Sequence, residues 1–397
     1  MKHPFLKGLG ISCLLALSVH AEFSPLSSNV EGYGMPLAPM GSRERGMGEG
    51  GMAALSSKGY FLPNISRSAY FDRTSFTATV ESDVDWLRDH SSANHNLTLT
   101  VPTLGTFIKT QKLGTFGLYY QQNYERYFGV LRTASVATGP EQKFTAEGGL
   151  YLLGVGWAYS PMPLFSLGIS ENIVLGHDRM IQAGSFADTL PNGENLQDTL
   201  EMNHWGAYPT FSATWHSTRV DAALAFTPAI HLTTNRDRRI TEIRADSIAD
   251  TSRALPMTIA AGAGWRISSR QTAIFDVYFE NWKKAGDTSG GILNPAYKIA
   301  LGYESRGLDN PYVEYHKRLT YRAGLGYDLL YLGKTPEIYG TLGLGLPLGP
   351  RGHVLDVSLK YGHRSFDGNT FFAEDYVKLS ASVVGVSIWG QPARKRR

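Results

Sequence analysis

The C-terminal part of the chain, residues 319–389, alternates between two kinds of side chain in four successive runs. In the first run Tyr321 and Leu325 stand on one face, whereas Arg322 and Asp328 stand on the other. A period of two over roughly ten residues predicts β-strands, because successive side chains of a strand point to opposite faces. One face is aliphatic with aromatic ends and the other is small, polar or charged. This pattern is typical of a strand that separates lipid from a polar lumen.

The same alternation starts near residue 74 and continues with little interruption. It predicts fourteen strands, at about 74–86, 96–109, 113–126, 143–159, 164–176, 204–216, 219–234, 256–268, 271–283, 295–305, 318–331, 336–347, 353–364 and 374–389. A sheet in lipid must close on itself, because no water satisfies an open edge. The predicted fold class is therefore all-β, a transmembrane antiparallel β-barrel of about 14 strands, an even number as in bacterial single-chain barrels.

A secreted soluble β-sandwich is the alternative to a barrel. It would place aliphatic side chains inside and polar side chains outside. Here Arg322, Asp356 and Lys360 share the inner face with glycines, which argues against a soluble core. The 43 glycines and 21 tyrosines also suit a barrel, since glycine lines crowded inner faces and tyrosine forms interfacial girdles. After residue 21, no stretch of the sequence reaches the ~18 apolar residues of a spanning helix.

Residues 1–21 have the features of a signal peptide. Lys2 and Lys7 precede an apolar run that ends with a small-x-Ala cleavage pattern at residues 19–21. The only cysteine, Cys13, lies inside that run, so the mature chain would have no thiol for a disulfide or a metal site. We therefore predict export, a place in the cell outer membrane, and the barrel assembly machinery as the partner that inserts the chain.

The charge balance excludes some classes of partner. The formal net charge is +3, and removal of Lys2 and Lys7 with the signal peptide leaves +1. Such a balance gives no reason to expect a nucleic-acid partner. The expected partners are outer-membrane lipids and a hydrophobic small molecule, bound by a monomer.

Residues 22–67 do not alternate and are rich in Gly, Met, Ser and Pro. Such a segment could be a disordered linker, or a compact plug folded back into the lumen ahead of the barrel at residues 68–390. We favour the plug. A phosphate-binding loop is excluded, because no strand precedes the glycines. The candidate plug and gating residues are Arg43, Gly46, Met47, Gly48, Gly50, Gly51 and Met52.

Charged residues on the inner faces of neighbouring strands form a predicted lumen charge ladder. Its members are Arg266, Asp276, Glu280, Lys298, Arg322, Asp328, Asp356 and Lys360. Because their signs balance, we expect ion pairs that hold barrel and plug together rather than a catalytic group. The sequence contains neither His-Glu-x-x-His nor Gly-x-Ser-x-Gly, so we predict no enzyme activity, no metal and no cofactor.

The lengths of the connections predict the orientation of the barrel. Short turns at 111–112, 160–163, 217–218 and 268–270 would face the periplasm, and long loops at 127–142, 177–203, 235–255 and 284–294 would face outside. The loop 235–255 carries mixed charge and could meet lipid headgroups. The connection 306–317 is long for a periplasmic turn, and the basic tail at 391–397 would hang into the periplasm.

Several segments resemble the long-chain fatty-acid transporter (FadL-like) family of outer-membrane barrels. They are the glycine-rich start at 42–51, the hairpin at 258–283 that ends in Glu-Asn-Trp, and the C-terminal motifs at 317–327, 339–348 and 374–379. The resemblance implies fourteen strands and a small N-terminal hatch inside the lumen. One segment departs from the family, because Leu62-Pro63-Asn64-Ile65 stands where the family has Asn-Pro-Ala.

Two functions follow from the resemblance and the pattern. The first is a channel for passive uptake of hydrophobic molecules such as long-chain fatty acids. The alternative is a FadL-like barrel that serves as an accessory or interaction protein of a secretion or envelope-assembly machine, working through its loops or its basic tail.

Overall fold

The computed structural model describes residues 32–54, 59–88, 93–132, 141–185, 195–240, 243–244, 251–284, 293–310, 312–332, 335–349, 352–365 and 373–387. Within these ranges fourteen antiparallel strands close into one barrel, which confirms the predicted fold class. The predicted signal peptide and basic tail lie outside the described residues.

The strands follow one another around the barrel in chain order. Their bounds are β1 Thr74–Arg88, β2 Ala93–Lys109, β3 Thr115–Arg132, β4 Glu141–Met162, β5 Phe165–Ser185, β6 Asn195–His216, β7 Val220–Thr227 and Ile230–Ile240, β8 Ile243–Arg244, Thr251–Leu255 and Met257–Arg266, β9 Gln271–Asn281, β10 Ala296–Ser305, β11 Thr320–Leu330, β12 Thr335–Leu348, β13 His353–Ser365 and β14 Ala373–Ser387. The barrel closes where β14 pairs with β1, from Ser387 opposite Thr74 to Ala373 opposite Arg88. The start of β1 and the end of β14 therefore lie together at the end of the barrel that carries the short turns, which is the periplasmic end.

The two faces of each strand have the environments that the alternation predicts. On β11, Leu325 is 64% exposed on the outer surface, whereas Arg322 is only 7% exposed on the inner face. The same holds on β13, where Tyr361 is exposed and Lys360 is buried. Exposed aliphatic side chains of this kind are stable only if lipid covers them, so the outer surface is the membrane face.

Four strands extend further into the predicted outer loops than the sequence pattern suggests. Strand β3 continues to Arg132 and β4 begins at Glu141, so the two strands occupy much of the expected loop 127–142. Strand β5 continues to Ser185 and β6 begins at Asn195, which shortens the expected loop 177–203 in the same way. Backbone pairing continues here although the outer face is no longer apolar: Arg179 lies 3.5 Å from both Glu147 and Glu201. The apolar outer face of a strand ends where the lipid ends, whereas the backbone hydrogen bonds between neighbouring strands also form in water. The predicted loop 235–255 is shortened in the same way by β7 and β8.

The lumen is filled by residues 32–54 and 59–73, which we call the hatch. The hatch contains a two-residue strand, Met35–Pro36, that pairs with Glu125 and Tyr124 of β3, one helical turn α1 at Ser42–Arg45, and a 3₁₀ segment at Leu62–Tyr70. Further short 3₁₀ turns lie at Trp282–Lys284 and Tyr315–Arg318. The hatch extends past the expected end at residue 67, because Phe71 still packs on Phe107 with the ring centroids 5.6 Å apart. No helix in the described part of the chain is long and apolar enough to cross a membrane.

Candidate functional site

Ion pairs join the hatch to the wall near α1. Arg43 of α1 donates to both carboxylate oxygens of Glu304 on β10, at 2.9 and 3.0 Å. Glu44, the next residue, accepts from Arg43 at 2.8 Å and from Arg67 of the 3₁₀ segment at 2.9 Å. All four side chains are buried. A buried charge is stable only with a partner, so each of these groups depends on the hatch being seated.

Glu49 is the second point of attachment. Its carboxylate pairs with Lys298 of β10 and, at 3.0 Å, with Lys360 of β13. Although burial disfavours the charged form, the two lysines hold the pKa of the Glu49 carboxyl well below its usual range. Glu49 also has a φ of 58°, a left-handed conformation that costs roughly 1–2 kcal/mol for a residue with a Cβ. The ion pairs offset that strain.

Backbone groups of the glycine-rich turn are seated on polar side chains of the wall. Gly48 donates its N–H to Thr341 of β12 at 2.8 Å, and both Gly51 and Met52 donate to one oxygen of Asp276 on β9. Gly48 has a φ of 69°, which favours glycine, and its backbone lies directly against Gly324 of β11. Glycine on both sides lets the two backbones approach closely.

The segment that departs from the FadL pattern also contacts the wall. Asn64 donates to the Met52 carbonyl at 2.7 Å and to Thr214 of β6 at 2.8 Å, while its side-chain oxygen accepts from Ser66. Ser66 in turn bonds Ser212 and Thr214. The asparagine therefore holds both halves of the hatch against β6.

The predicted plug residues all lie in the lumen against the wall. Gly46 lies against Gly343, Gly50 against Ala300, and Met52 against Gly262, and Met47 and Met52 are buried. These positions support the predicted role of the segment, which stays a proposal.

The ion pairs of the predicted charge ladder fall into two clusters. Arg322 bonds Glu304 at 2.9 Å and Asp356 at 2.7 Å, while Lys298 lies 3.4 Å from Asp328 and also reaches Glu49. Three members stand apart from these clusters. Asp276 accepts from the backbone N–H groups of Gly51 and Met52 instead. Arg266 pairs with Asp221 at the periplasmic end, and Glu280 accepts from the Trp282 indole at 2.6 Å on the extracellular side.

Sequence reasoning missed several other charged groups that form ion pairs in the lumen. They are the hatch residues Glu44, Arg45, Glu49 and Arg67 and the wall residues Glu81, Asp83, Glu304, Glu337, Arg364, Glu374 and Lys378. The wall members have the same inward parity as the predicted ones, so the alternation could have found them. The partners in the hatch could not be found in this way, because the hatch has no strand period.

A cavity of about 250 Å³ lies between the hatch and the wall. On β8, which runs towards the periplasm, the cavity residues Pro256 and Thr258 precede Gly262 and Gly264, which contact the hatch. The cavity is therefore on the extracellular side of Met52 and Ala53 of the hatch. Its apolar side is lined by Leu62, Tyr124, Leu152, Tyr208, Ile230 and Leu255, and its charged side by Glu49, Lys298, Asp328, Glu337, Lys360 and Arg364.

Aromatic side chains cap the cavity towards the outside. Tyr331 and Trp282 stack with ring centroids 4.2 Å apart, and Tyr33 packs against Trp282 at 6.2 Å. The Tyr331 hydroxyl accepts from the Tyr33 N–H at 3.0 Å and donates to the Gly34 carbonyl at 2.6 Å. Arg253 lies over the Tyr33 ring at 4.5 Å. The start of the hatch is thus part of the cap.

The wall beside the cavity is interrupted. The ladder between β6 and β7 runs to the pair Phe211–Phe226 and resumes at Trp205–Thr233. The ladder between β7 and β8 likewise breaks between Thr227–Thr258 and Ile230–Leu255. Prolines stand in all three strands at this level, namely Pro209, Pro228 and Pro256. A proline has no N–H to leave unsatisfied, so a gap here costs less than it would elsewhere in a membrane wall.

Comparison with known proteins places the chain in a family. The family model described as BamG matches residues 11–394. The chain belongs to the BamG family. A comparison with curated protein sequences found no match for this BamG-family chain.

Solved structures resemble the BamG-family barrel over most of its length. A Pseudomonas aeruginosa FadL homologue is 12% identical, over 89% of this chain and 100% of its own, with a TM-score of 0.61. The monoaromatic hydrocarbon channel CymD is 14% identical over 90% of this chain and 100% of its own, with a TM-score of 0.55. The P. putida toluene transporter TodX is 12% identical over 90% and 98%, with a TM-score of 0.57.

At such low identity the likeness establishes the fold. The BamG-family chain is a FadL-like outer-membrane β-barrel with its N-terminal hatch in the lumen, as the resemblance in the sequence predicts. Among the residues that the structure describes, no three His, Cys, Asp or Glu side chains are grouped so that they could hold a metal ion.

Proposed function

We propose that this BamG-family barrel is a passive channel for hydrophobic compounds, which bind in the cavity above the hatch. The observation that carries the proposal is the cavity itself, whose apolar lining residues Leu62, Tyr124 and Leu152 belong to one buried cluster. The similar structures of CymD and TodX, a monoaromatic hydrocarbon channel and a toluene transporter, support this reading. Affinity would come from buried apolar area, at about 25 cal/mol per Å².

The charged side of the cavity narrows the class of ligand. Lys298 and Lys360 pair with Glu49, and Arg364 bonds Glu337 at 2.5 Å and Glu374 at 2.7 Å. A carboxylate ligand would have to displace one of these buried acids. We therefore expect neutral hydrophobic compounds to bind better than fatty acids of similar apolar area.

A route through the protein can be drawn from two further features. Inside the protruding strands β4 to β6, Ala146, Met180 and Met202 form an apolar cluster on the extracellular side of the cavity. Compounds would collect at this cluster, pass the aromatic cap and reach the cavity. The interrupted wall at Pro228 and Pro256 would then provide an exit towards the membrane, since the hatch blocks the lumen below.

Filling the cavity tests the proposal. Ala296 lines the cavity on β10 and is only partly buried, so an indole at Ala296→Trp would occupy the site without displacing the hatch. We expect binding of a neutral fluorescent probe such as N-phenylnaphthylamine to the full chain in nanodiscs to fall by about tenfold or more, as the loss of a few tens of Å² of apolar contact predicts.

The matched control is Ala323→Trp, on the lipid-facing side of β11, where Ala323 is exposed. This variant should bind the probe like the parent protein. Equal binding by both variants and the parent would contradict a ligand site in the cavity. A parallel titration with a long-chain fatty acid tests the expected preference for neutral compounds.

A second candidate function is an accessory subunit of an envelope-assembly machine. It is favoured by the ion pairs that seat the hatch, such as those of Arg43 and Glu49, which suit a permanent seal better than a moving gate. The family name BamG also points to envelope machinery. Stoichiometric co-purification of envelope-assembly subunits with a tagged chain in mild detergent would support this role, whereas a chain that purifies alone would contradict it.

A further inference from the structure

One periplasmic connection is much longer than closure of the barrel requires. Between β10 and β11 the chain forms a folded loop of residues 306–310 and 312–319, whereas the turn between β8 and β9 spans only residues 267–270. The base of the loop is closed by the Leu308 N–H, which donates to the Lys317 carbonyl at 2.8 Å, and the Lys317 N–H donates to Glu314 at 3.0 Å. A loop with its own hydrogen bonds presents its side chains in a defined arrangement.

Two tyrosines stand on this loop. Tyr312 is 95% exposed, whereas Tyr315 is 49% exposed and lies against Arg318, whose guanidinium carbon is 5.8 Å from the ring centroid. Tyr312 is held by the bond from its N–H to the Asn310 side chain at 2.9 Å. An exposed tyrosine on an ordered protrusion is a typical anchor of a protein interface, because it buries a large area at low entropic cost.

Basic side chains continue the surface along the periplasmic rim. Backbone bonds of 2.8 Å join Arg266 to Arg219 and Arg306 to Arg270, so the neighbouring strand ends bring these residues into one arc, which continues to Arg318 of the loop. Arg266 and Arg306 pair with Asp221 and Glu304. No ion pair is found for Arg219, Arg270 and Arg318 among the described residues of the chain.

We propose that the loop and the basic arc form a docking surface for a periplasmic protein domain that presents acidic side chains around a pocket for Tyr312. Complementary charge would steer the encounter and Tyr312 would anchor it. The proposal concerns the face opposite to the cavity and does not depend on uptake of any compound.

Anionic lipid headgroups are the competing occupant of the arc. Headgroups surround the barrel at the level of the periplasmic aromatic girdle, where Trp215, Trp265 and Tyr321 face outwards. The tip of the loop, residues 309–310 and 312–316, lies beyond the hydrogen-bonded pair Leu308–Lys317. A tyrosine that is almost fully exposed there favours a protein over the lipid surface.

Site-specific crosslinking in intact cells tests the proposal. The full chain carries p-benzoylphenylalanine in place of Tyr312, and adducts formed under ultraviolet light are identified by mass spectrometry. We expect one discrete adduct with a periplasmic protein, crosslinked through an acidic surface. The triple variant R219E/R270E/R318E should lower its yield by about tenfold, because like charges would then face each other, whereas R219K/R270K/R318K should retain it.

Two controls keep the outcomes distinct. The same crosslinker at Leu113, which is 64% exposed on the turn between β2 and β3 at the same end, should not form this adduct. Raised salt applied to isolated envelopes should lower the yield at Tyr312 without any substitution. A lipid adduct, no adduct, or an adduct that withstands both salt and charge reversal would overturn the proposal. Probe binding to the cavity should be unchanged in the charge-reversal variant. The crosslinking yield therefore tests the docking surface, and probe binding tests the channel proposal separately.

Discussion

Replacing Gly324 with valine is expected to displace the hatch and open the lumen. A Cβ at this inward position of β11 would meet the backbone of Met47 and Gly48, which cannot move aside as a flexible side chain could. Overpacking of this kind costs about 1–3 kcal/mol, and more against backbone. The measurement is the sensitivity of cells to large hydrophilic antibiotics, together with the flux of a small sugar into liposomes that contain the purified chain. Both should rise well above those of the parent protein.

The chain offers a matched control for this experiment. Gly340 lies on the neighbouring strand β12 but faces lipid, and a Cβ there would meet only Leu325, at 3.8 Å. Gly340→Val should therefore leave both permeabilities unchanged. If Gly324→Val is folded and still impermeable, the seat of the hatch is not at Gly48 or the hatch is not the seal.

Replacing Glu304 with alanine is expected to cause the largest loss of stability. Its carboxylate accepts from Arg43 at 2.9 and 3.0 Å, from Arg322 at 2.9 Å and from Arg306 at 2.8 Å. Removal leaves the buried Arg43 and Arg322 short of a negative partner, and loss of one member of a buried ion pair costs about 3–5 kcal/mol. Unfolding in urea, followed by heat-modifiable migration in gels, measures the change in free energy, and protease should reach the hatch more readily.

Glu314→Ala is the comparison for Glu304→Ala. Glu314 pairs with Lys317 at 3.1 Å, but its side chain is 66% exposed on the periplasmic loop. An exposed pair contributes about 0–1 kcal/mol. An equal effect of the two substitutions would mean that the network around Glu304 does not hold the hatch.

Much of the fold can be predicted from the sequence because the pleat of a strand is local. The orientation of Leu325 towards lipid and of Arg322 towards the lumen depends only on their parity along β11. The number of strands and the presence of a hatch follow in the same way, from the length of the alternating region and the glycine-rich segment before it. The strand ends of β3 to β6 do not follow, because pairing continues beyond the lipid that shapes the alternation.

The candidate site depends on contacts that the sequence pattern does not contain. Glu49 meets Lys298 and Lys360 across 249 and 311 residues of chain, and only the path of the hatch through the closed barrel brings them together. The cavity arises in the same way, from the space that the hatch leaves beside the interrupted wall at Pro228 and Pro256. The backbone of each strand alone decides which side chains face lipid and which face the lumen. The ion-pair partners and the cavity depend instead on strand register and on the position of the hatch, which has no repeating pattern. For that reason the alternation predicts the barrel, and only the tertiary structure shows how the hatch contacts the wall and where the cavity lies.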